Sequence, residues 1–273
     1  MNEQKLFCIL QTRNHNKLDF EFWISYYEKF IKCDKIIIVD DKSTIDIKNI
    51  ISNFSNIIYI KRESINLSKM TGNNTQCKVV NYCLEKFNVK KNDIVIIPDD
   101  DEFWWYDYKK YTSFKEIANS YFNKFSNAKS ILVPWTMMFS NDYLVKRDKN
   151  FKDTFKYNIK YDFIEHKPLV LYSGKLTTSF HNFYEMSRCK SLTNIDEKIN
   201  FKSKYEKNLD LRCFHFRYTT QVEYRMKISS TISNPNKKRR EYLNTFCDVF
   251  KMLKSKGLEF DDTLEKTSID FCL

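Results

Sequence analysis

Two clusters of carboxylates in this sequence each close a run of apolar residues. Val39-Asp40-Asp41-Lys42-Ser43-Thr44 ends the run that starts at Lys35. Pro98-Asp99-Asp100-Asp101-Glu102-Phe103-Trp104-Trp105 ends the one that starts at Asp93. Four consecutive acids repel one another strongly unless a cation shares them. Alternate side chains of an extended segment point to one side, so Asp99 and Asp101 are spaced to grip one divalent ion. A solvated turn with helix-capping acids is the plainer alternative. The aromatic residues that follow the acids directly argue against it.

Other chemistries are excluded by what the chain lacks. Three glycines, Gly72, Gly174 and Gly257, are too few and too far apart for G-x-G-x-x-G or a Walker A loop, where any side chain keeps the backbone away from phosphate. The four histidines, His15, His166, His181 and His215, never fall at i, i+4, so an H-E-x-x-H metalloprotease is out. Eight cysteines are scattered with no C-x-x-C pair, against a zinc ribbon or thioredoxin-like site, and read as free, buried thiols in a reducing compartment.

The elements that must position the acids alternate between strand and helix. Lys5–Thr12, Lys35–Asp41, Ile57–Lys61 and Asp93–Ile97 are short apolar runs. Between them lie an amphipathic stretch from Lys17 to Lys32 and helical stretches at Asp46–Phe54 and Thr75–Phe87. Strands apolar throughout, in β-α-β-α order, indicate an α/β fold with a mainly parallel sheet covered by helices on both faces. A helix at Ser113–Phe125 and a strand at Ser130–Trp135 follow. Beyond residue 140 the pattern changes to mixed short strands, with Leu169–Tyr172 and Asp210–Phe216 the clearest, then helices near Gln221–Ser229 and Lys238–Lys254. The expectation is a single domain with an elaborated C-terminal half. In open parallel sheets ligands bind beyond the carboxyl ends of the strands, which is where both acid clusters fall.

With 273 residues, 42% apolar and 16% aromatic, the chain has enough material for a sizeable core. Lys and Arg number 46 against 35 Asp and Glu, for a net charge of +11. That excess permits nucleic acid, an acidic surface or phosphorylated small molecules as partners. The run Lys237-Lys238-Arg239-Arg240 reads as a solvated helix start, and no nucleic-acid module accompanies it. The N-terminus turns polar again after one short strand and no run approaches a membrane span, so a cytoplasmic protein with neither leader nor membrane anchor is expected.

Taken in order, several elements resemble glycosyltransferases of the GT-A fold, of the family 2 and family 92 type. The D-D-x-S-T element at residues 40–44 and the D-x-D-E-F element at 99–103 are similar to that family's. So are the first turn Gln11-Thr12-Arg13-Asn14, the helix segment Glu21-Phe22-Trp23-Ile24-Ser25-Tyr26-Tyr27, and Gln76-Cys77-Lys78-Val79-Val80-Asn81-Tyr82-Cys83-Leu84 before the acidic strand. Trp135-Thr136-Met137-Met138-Phe139 and His215-Phe216-Arg217-Tyr218-Thr219-Thr220-Gln221-Val222-Glu223-Tyr224 complete a resemblance covering roughly residues 5 to 228. His15 stands where the family has an acid and Thr219 where it has a lysine, which moves an expected phosphate contact to Arg217.

The resemblance implies a GT-A-like domain over residues 1–235 and a C-terminal helical extension over 236–273. It implies a metal-dependent transfer of a hexose from a nucleotide-diphosphate sugar, UDP-glucose or UDP-galactose, to a hydroxyl on a glycan or a protein. Thr12, Arg13, Asn14, Asp41, Gln76, Asp100 and Arg217 are expected around the donor, and Mn²⁺ or Mg²⁺ on Asp99, Asp101 and His215, with His181 the rival of His215. Trp104, Trp105 and Trp135 are candidates to stack on a sugar face, with core packing preferred for Trp135. Asp142, Asp162 and Glu165 are candidates for an acceptor base, which only an inverting enzyme needs. The richness in Lys, Asn and Ile fits an AT-rich genome and suits a bacterial or large-DNA-virus enzyme, in the latter case in the host cytoplasm. The viral type suggests a hydroxylysine on a collagen-like protein as acceptor. Homodimer formation stays open. The alternatives from other classes are a basic nucleic-acid-binding module and a nucleotidyltransferase.

Overall fold

The computed structural model describes residues 3–13, 17–72, 74–124, 130–139, 157–159, 166–174, 192–193, 210–215 and 264–266. Its centre is four parallel strands in the order β3-β2-β1-β4, formed by Ile57–Lys61, Lys35–Asp40, Leu6–Thr12 and Ile94–Ile96. Phe7 pairs with Lys35 and Thr12 with Asp40, while Leu6 pairs with Ile94 on the other side. β1 and β2 are apolar on both faces because both faces are covered. Phe7, Ile9, Ile37, Val39 and Val95 share one core with Cys77, Val80, Cys83 and Leu84 of α3 (Thr75–Lys86). The alternate residues Leu6, Cys8, Leu10, Ile36 and Ile38 are equally buried on the opposite face, and Phe20, Trp23, Ile24 and Tyr27 of α1 (Lys17–Lys29) are buried as well.

The chain divides into two compact units. The first comprises Met1–Trp135, Ile164–Cys213 and Cys272–Leu273; the second comprises Thr136–Phe163 and Phe214–Phe271. In the first unit the sheet continues antiparallel beyond β4. Val95 pairs with Val170 of β8 (His166–Leu171), and Val133 of β6 (Ser130–Phe139) pairs with Lys167. Two helices complete it, the short α2 (Ile47–Ile50), prolonged by a 3-10 turn over Ile51–Asn53, and α4 (Phe114–Lys124). In the second unit, Met138 and Phe139 at the end of β6 pair with β7 (Tyr157–Ile159), which pairs antiparallel with β11 (Leu264–Lys266). A two-residue strand, β9 (Leu192–Thr193), runs parallel to β6 at Ile131–Leu132. The helices expected at 221–229 and 238–254 lie outside the described residues.

One element was not anticipated. The aromatic run after the acids is itself a strand, β5 (Glu102–Tyr106), paired with β10 (Leu211–His215). Its alternation splits the aromatics. Phe103 packs on Phe22 and Tyr26 of α1, with ring centroids 5.6 and 5.2 Å apart, while Trp104 meets Phe114 of α4 edge-on at 5.9 Å. Trp104 has no exposed surface, so it belongs to the core rather than to a sugar-stacking platform. The described cysteines, Cys8, Cys33, Cys77, Cys83 and Cys213, are buried and unbridged. No helix among the described residues is long and apolar enough to cross a membrane.

Candidate functional site

The chain runs from β1 outward to β2 and β3, then returns to place β4 on the other side of β1. In open α/β sheets a reversal of this kind, here at the carboxyl ends of β1 and β4, is where ligands bind. Thr12 ends β1 there. Its Oγ1 donates to Oδ2 of Asp100 at 2.9 Å, tying the end of β1 to the acidic turn after β4. The Asp41 N–H donates to the Thr12 carbonyl at 2.8 Å, which ties the end of β2 to the same place. Three of the donor-site positions expected from the sequence therefore meet at one edge.

The acidic turn is built from below by α1. The Trp23 indole N–H lies 3.2 Å from the carbonyls of both Asp99 and Glu102. The Tyr27 hydroxyl donates to the Glu102 carbonyl at 2.9 Å and accepts from the Trp104 N–H at 3.1 Å, and Tyr26 donates to the Trp104 carbonyl at 2.8 Å. All three rings are fully buried, and a buried hydroxyl or indole N–H needs such a partner. Within the turn, the Glu102 N–H donates to the Asp99 carbonyl at 3.1 Å, and the Asp99 N–H donates to Oε2 of Glu102 at 2.7 Å.

A cation does share the acids, and it is part of the chain. Lys167 of β8 has no exposed surface. Its Nζ lies 2.8 Å from Oδ2 of Asp99 and 3.0 Å from Oε2 of Glu102, which is itself fully buried. Burial works to depress the Lys167 pKa, but the charges and hydrogen bonds of Glu102 and Asp99 outweigh it and leave the ammonium above its ordinary value. Cys213 stands within the same field. Burial pushes its thiol well up, as do the charges of Glu102, Asp99 and Asp101, against the opposing effect of Lys167, so it is held as a thiol. Sequence reasoning missed Lys167. The signal for it was a lysine leading directly into the apolar run Pro168-Leu169-Val170-Leu171, in a chain whose four acids required a counter-charge.

At the end of β2 the arrangement is looser. Asp40 is buried and turns the chain back, accepting the Ser43 N–H at 2.9 Å and the Tyr59 hydroxyl at 2.8 Å. Lys42 inside this turn has a left-handed φ of 63°, uncommon for a residue with a Cβ. Partial burial, then the bond to Asp40 and its charge, push the Tyr59 hydroxyl up to about 12. Asp41 faces Arg62, with 3.4 Å between guanidinium and carboxylate. Gln76 is exposed on the first turn of α3, where its carbonyl accepts from the Gln11 side chain at 3.1 Å. That turn is set by Gly72, at φ 138°, where an added Cβ would come within 2.7 Å of the Cys77 Cβ, and by Asn74, whose side chain caps the Cys77 N–H at 2.8 Å.

Asp99 and Asp101 offer a divalent ion two carboxylates from alternate residues. A small hard cation is commonly held in this way, with phosphate and water oxygens completing its shell. Residues 99–102 close a hydrogen-bonded turn rather than the extended segment expected. The two carboxylates therefore meet an ion from a turn and not from one side of a strand, and Lys167 engages one oxygen of Asp99. Among the described residues no group of three or more His, Cys, Asp or Glu side chains is placed to hold a metal. His215 ends β10 and is buried. Arg13 is exposed after β1. Asn14, Asp142, Asp162, Glu165, His181 and Arg217 lie outside the described residues, and so do the side chains of Trp135 and His166.

No protein-family model matches this chain, and no curated protein matches it. Among solved structures it is similar to a 4-diphosphocytidyl-2C-methyl-D-erythritol synthase, with 13% identity, 62% of this chain and 76% of that one covered, and a TM-score of 0.34. TarS of S. aureus shares 18% identity over 53% of this chain and 23% of its own, at 0.33. A glucosyl-3-phosphoglycerate synthase from Mycobacterium tuberculosis, solved with Mn²⁺, UDP and glucosyl-3-phosphoglycerate, shares 12% over 50% and 45%, at 0.29. The chain thus spans less than half the length of the last two. At such scores the likeness is too loose to carry an assignment, and the α/β class rests on the strand order and register described above.

Proposed function

We propose that this chain is a metal-dependent glycosyltransferase that moves a hexose from a nucleotide-diphosphate sugar to a hydroxyl acceptor. The observation that carries this reading is the Thr12–Asp100 hydrogen bond at the β1–β4 switch point, which joins the sequence's first-turn and D-x-D elements into one edge. Asp41 and the turn from Thr12 to Asn14 hold the nucleoside, with Gln76 on the neighbouring helix turn and Arg217 toward the phosphates. Asp99 and Asp101 hold Mn²⁺ or Mg²⁺, with His215 as a further ligand carried over from the family resemblance. The ion supplies Lewis-acid stabilisation of the nucleoside diphosphate as its charge grows on departure. Asp142, Asp162 and Glu165 remain the candidates for a base if the reaction inverts.

A thermal-shift series with UDP and GDP, each with and without Mn²⁺, tests the reading. A ligand present at about 100 times its Kd stabilises the fold by roughly 2.7 kcal/mol, a rise in melting temperature that is easily resolved. A metal-dependent rise with one nucleotide is expected, together with hydrolysis of a labelled sugar donor of that nucleotide. His215→Ala and His181→Ala run alongside decide which histidine contributes. Absence of any shift with either nucleotide plus Mn²⁺ would overturn the proposal in favour of a basic binding module.

A further inference from the structure

We propose that Lys167 is a positioning residue of this site: its buried ammonium links Oδ2 of Asp99 to Oε2 of Glu102 and so fixes the turn that presents Asp99 and Asp101. This inference rests on the transferase reading and goes beyond it, because no motif of the resemblance includes Lys167.

The argument is one of geometry and charge. Glu102 already folds back onto the Asp99 N–H at 2.7 Å, and the two backbones are joined by the 3.1 Å bond in the other direction. Those bonds set the backbone of the turn but leave the Asp99 side chain free to rotate. The ammonium at 2.8 Å removes that freedom, holding one carboxylate oxygen of Asp99 in a known direction. Lys167 is itself immobile, being on a strand flanked on both sides, with Val133 opposite in β6 and the neighbouring Leu169–Leu171 paired to β4. A fully desolvated ammonium stays in place only with charged partners, and the carboxylates of Glu102 and Asp99 supply them. Residues that orient a ligating carboxylate from behind are typically worth roughly tenfold to a hundredfold in metal affinity.

The test separates positioning from charge and from folding. Lys167→Met alone strands a buried carboxylate and is expected to melt well below wild type. The double variant Lys167→Met/Glu102→Gln removes one positive and one negative charge. It leaves the net charge of the turn unchanged, and the glutamine still accepts the Asp99 N–H. Its melting temperature is expected to recover most of the loss. Its affinity for UDP in the presence of Mn²⁺, measured by calorimetry, is expected to fall about tenfold or more, while UDP affinity without metal stays at the wild-type value. A double variant that binds UDP with Mn²⁺ as wild type does would overturn the role of Lys167 and leave the transferase reading standing. One that melts as low as Lys167→Met would overturn it too, because the pair would then be a fold element only. Wild-type protein that binds no UDP with Mn²⁺ would sink the transferase reading and this role together.

Discussion

The two ends of the parallel sheet use aspartate differently. At the amino ends every one of these carboxylates holds backbone. Asp34 accepts the Leu6 N–H at 2.7 Å and also meets the Lys115 ammonium at 3.2 Å, and Asp93 accepts the N–H groups of Lys5 and Lys90 at 2.9 and 2.7 Å. At the carboxyl ends Asp40 still accepts a backbone N–H, from Ser43, but in the acidic turn the Thr12 hydroxyl meets Asp100 and the Lys167 ammonium meets Asp99. Backbone N–H groups at the start of a strand need an acceptor whatever the protein does, so acids of the first kind are part of the fold. Side-chain partners can share an acid with an incoming ligand.

This contrast breaks most sharply at Asp101. Asp101→Asn is expected to reduce sugar transfer to background without lowering the melting temperature, because removing one carboxylate from a like-charged cluster relieves repulsion. Full turnover in that variant, measured with the donor found by thermal shift, would end the metal-site assignment. Asp93→Ala should do the reverse. Two N–H groups lose their acceptor, at a cost of about 1–3 kcal/mol in denaturant unfolding, while the stabilisation by UDP and Mn²⁺ keeps its size. An unchanged unfolding midpoint would show that the backbone-held acids are dispensable after all. The smallest effect is expected at Arg62, whose guanidinium and the Asp41 carboxylate are both partly exposed, at 28% and 39%. Arg62→Ala should change stability by less than about 1 kcal/mol, and less still at high salt. A tenfold loss of UDP affinity in this variant would instead place Arg62 among the donor contacts.

The parallel core was legible because strands buried on both faces read as unbroken apolar runs. Lys35–Asp41 was placed within a residue of its observed end for that reason, and the half-buried edge strand Ile57–Lys61 was found from its β-branched run. The acids were legible because the ends of such strands are where an α/β sheet binds ligands. β5 was not, since a run of aromatics carries no period that tells a strand from a stacking surface; only the partners on α1 and α4 decide that Phe103 and Trp104 face opposite ways. Lys167 was missed for a related reason. One lysine among 46 basic residues carries only a weak local mark, its place before a short apolar run. Its meaning comes from antiparallel pairing with a strand that lies far away in sequence, and register of that kind is a tertiary fact.

The span between the acids and their counter-charge bears on how the molecule is made. Asp99 precedes Lys167 by 68 residues, and Thr12 precedes Asp100 by 88. At a synthesis rate of about 5–20 residues per second, a nascent chain displays its acidic turn for several seconds before the compensating lysine has been added. During that interval β4 also lacks β8, its outer neighbour, and shows an open edge. The repulsion among four uncompensated acids keeps that edge in water and discourages pairing with another chain. A charge cluster at the end of an unpaired strand acts as a gatekeeper against aggregation while the sheet is half built.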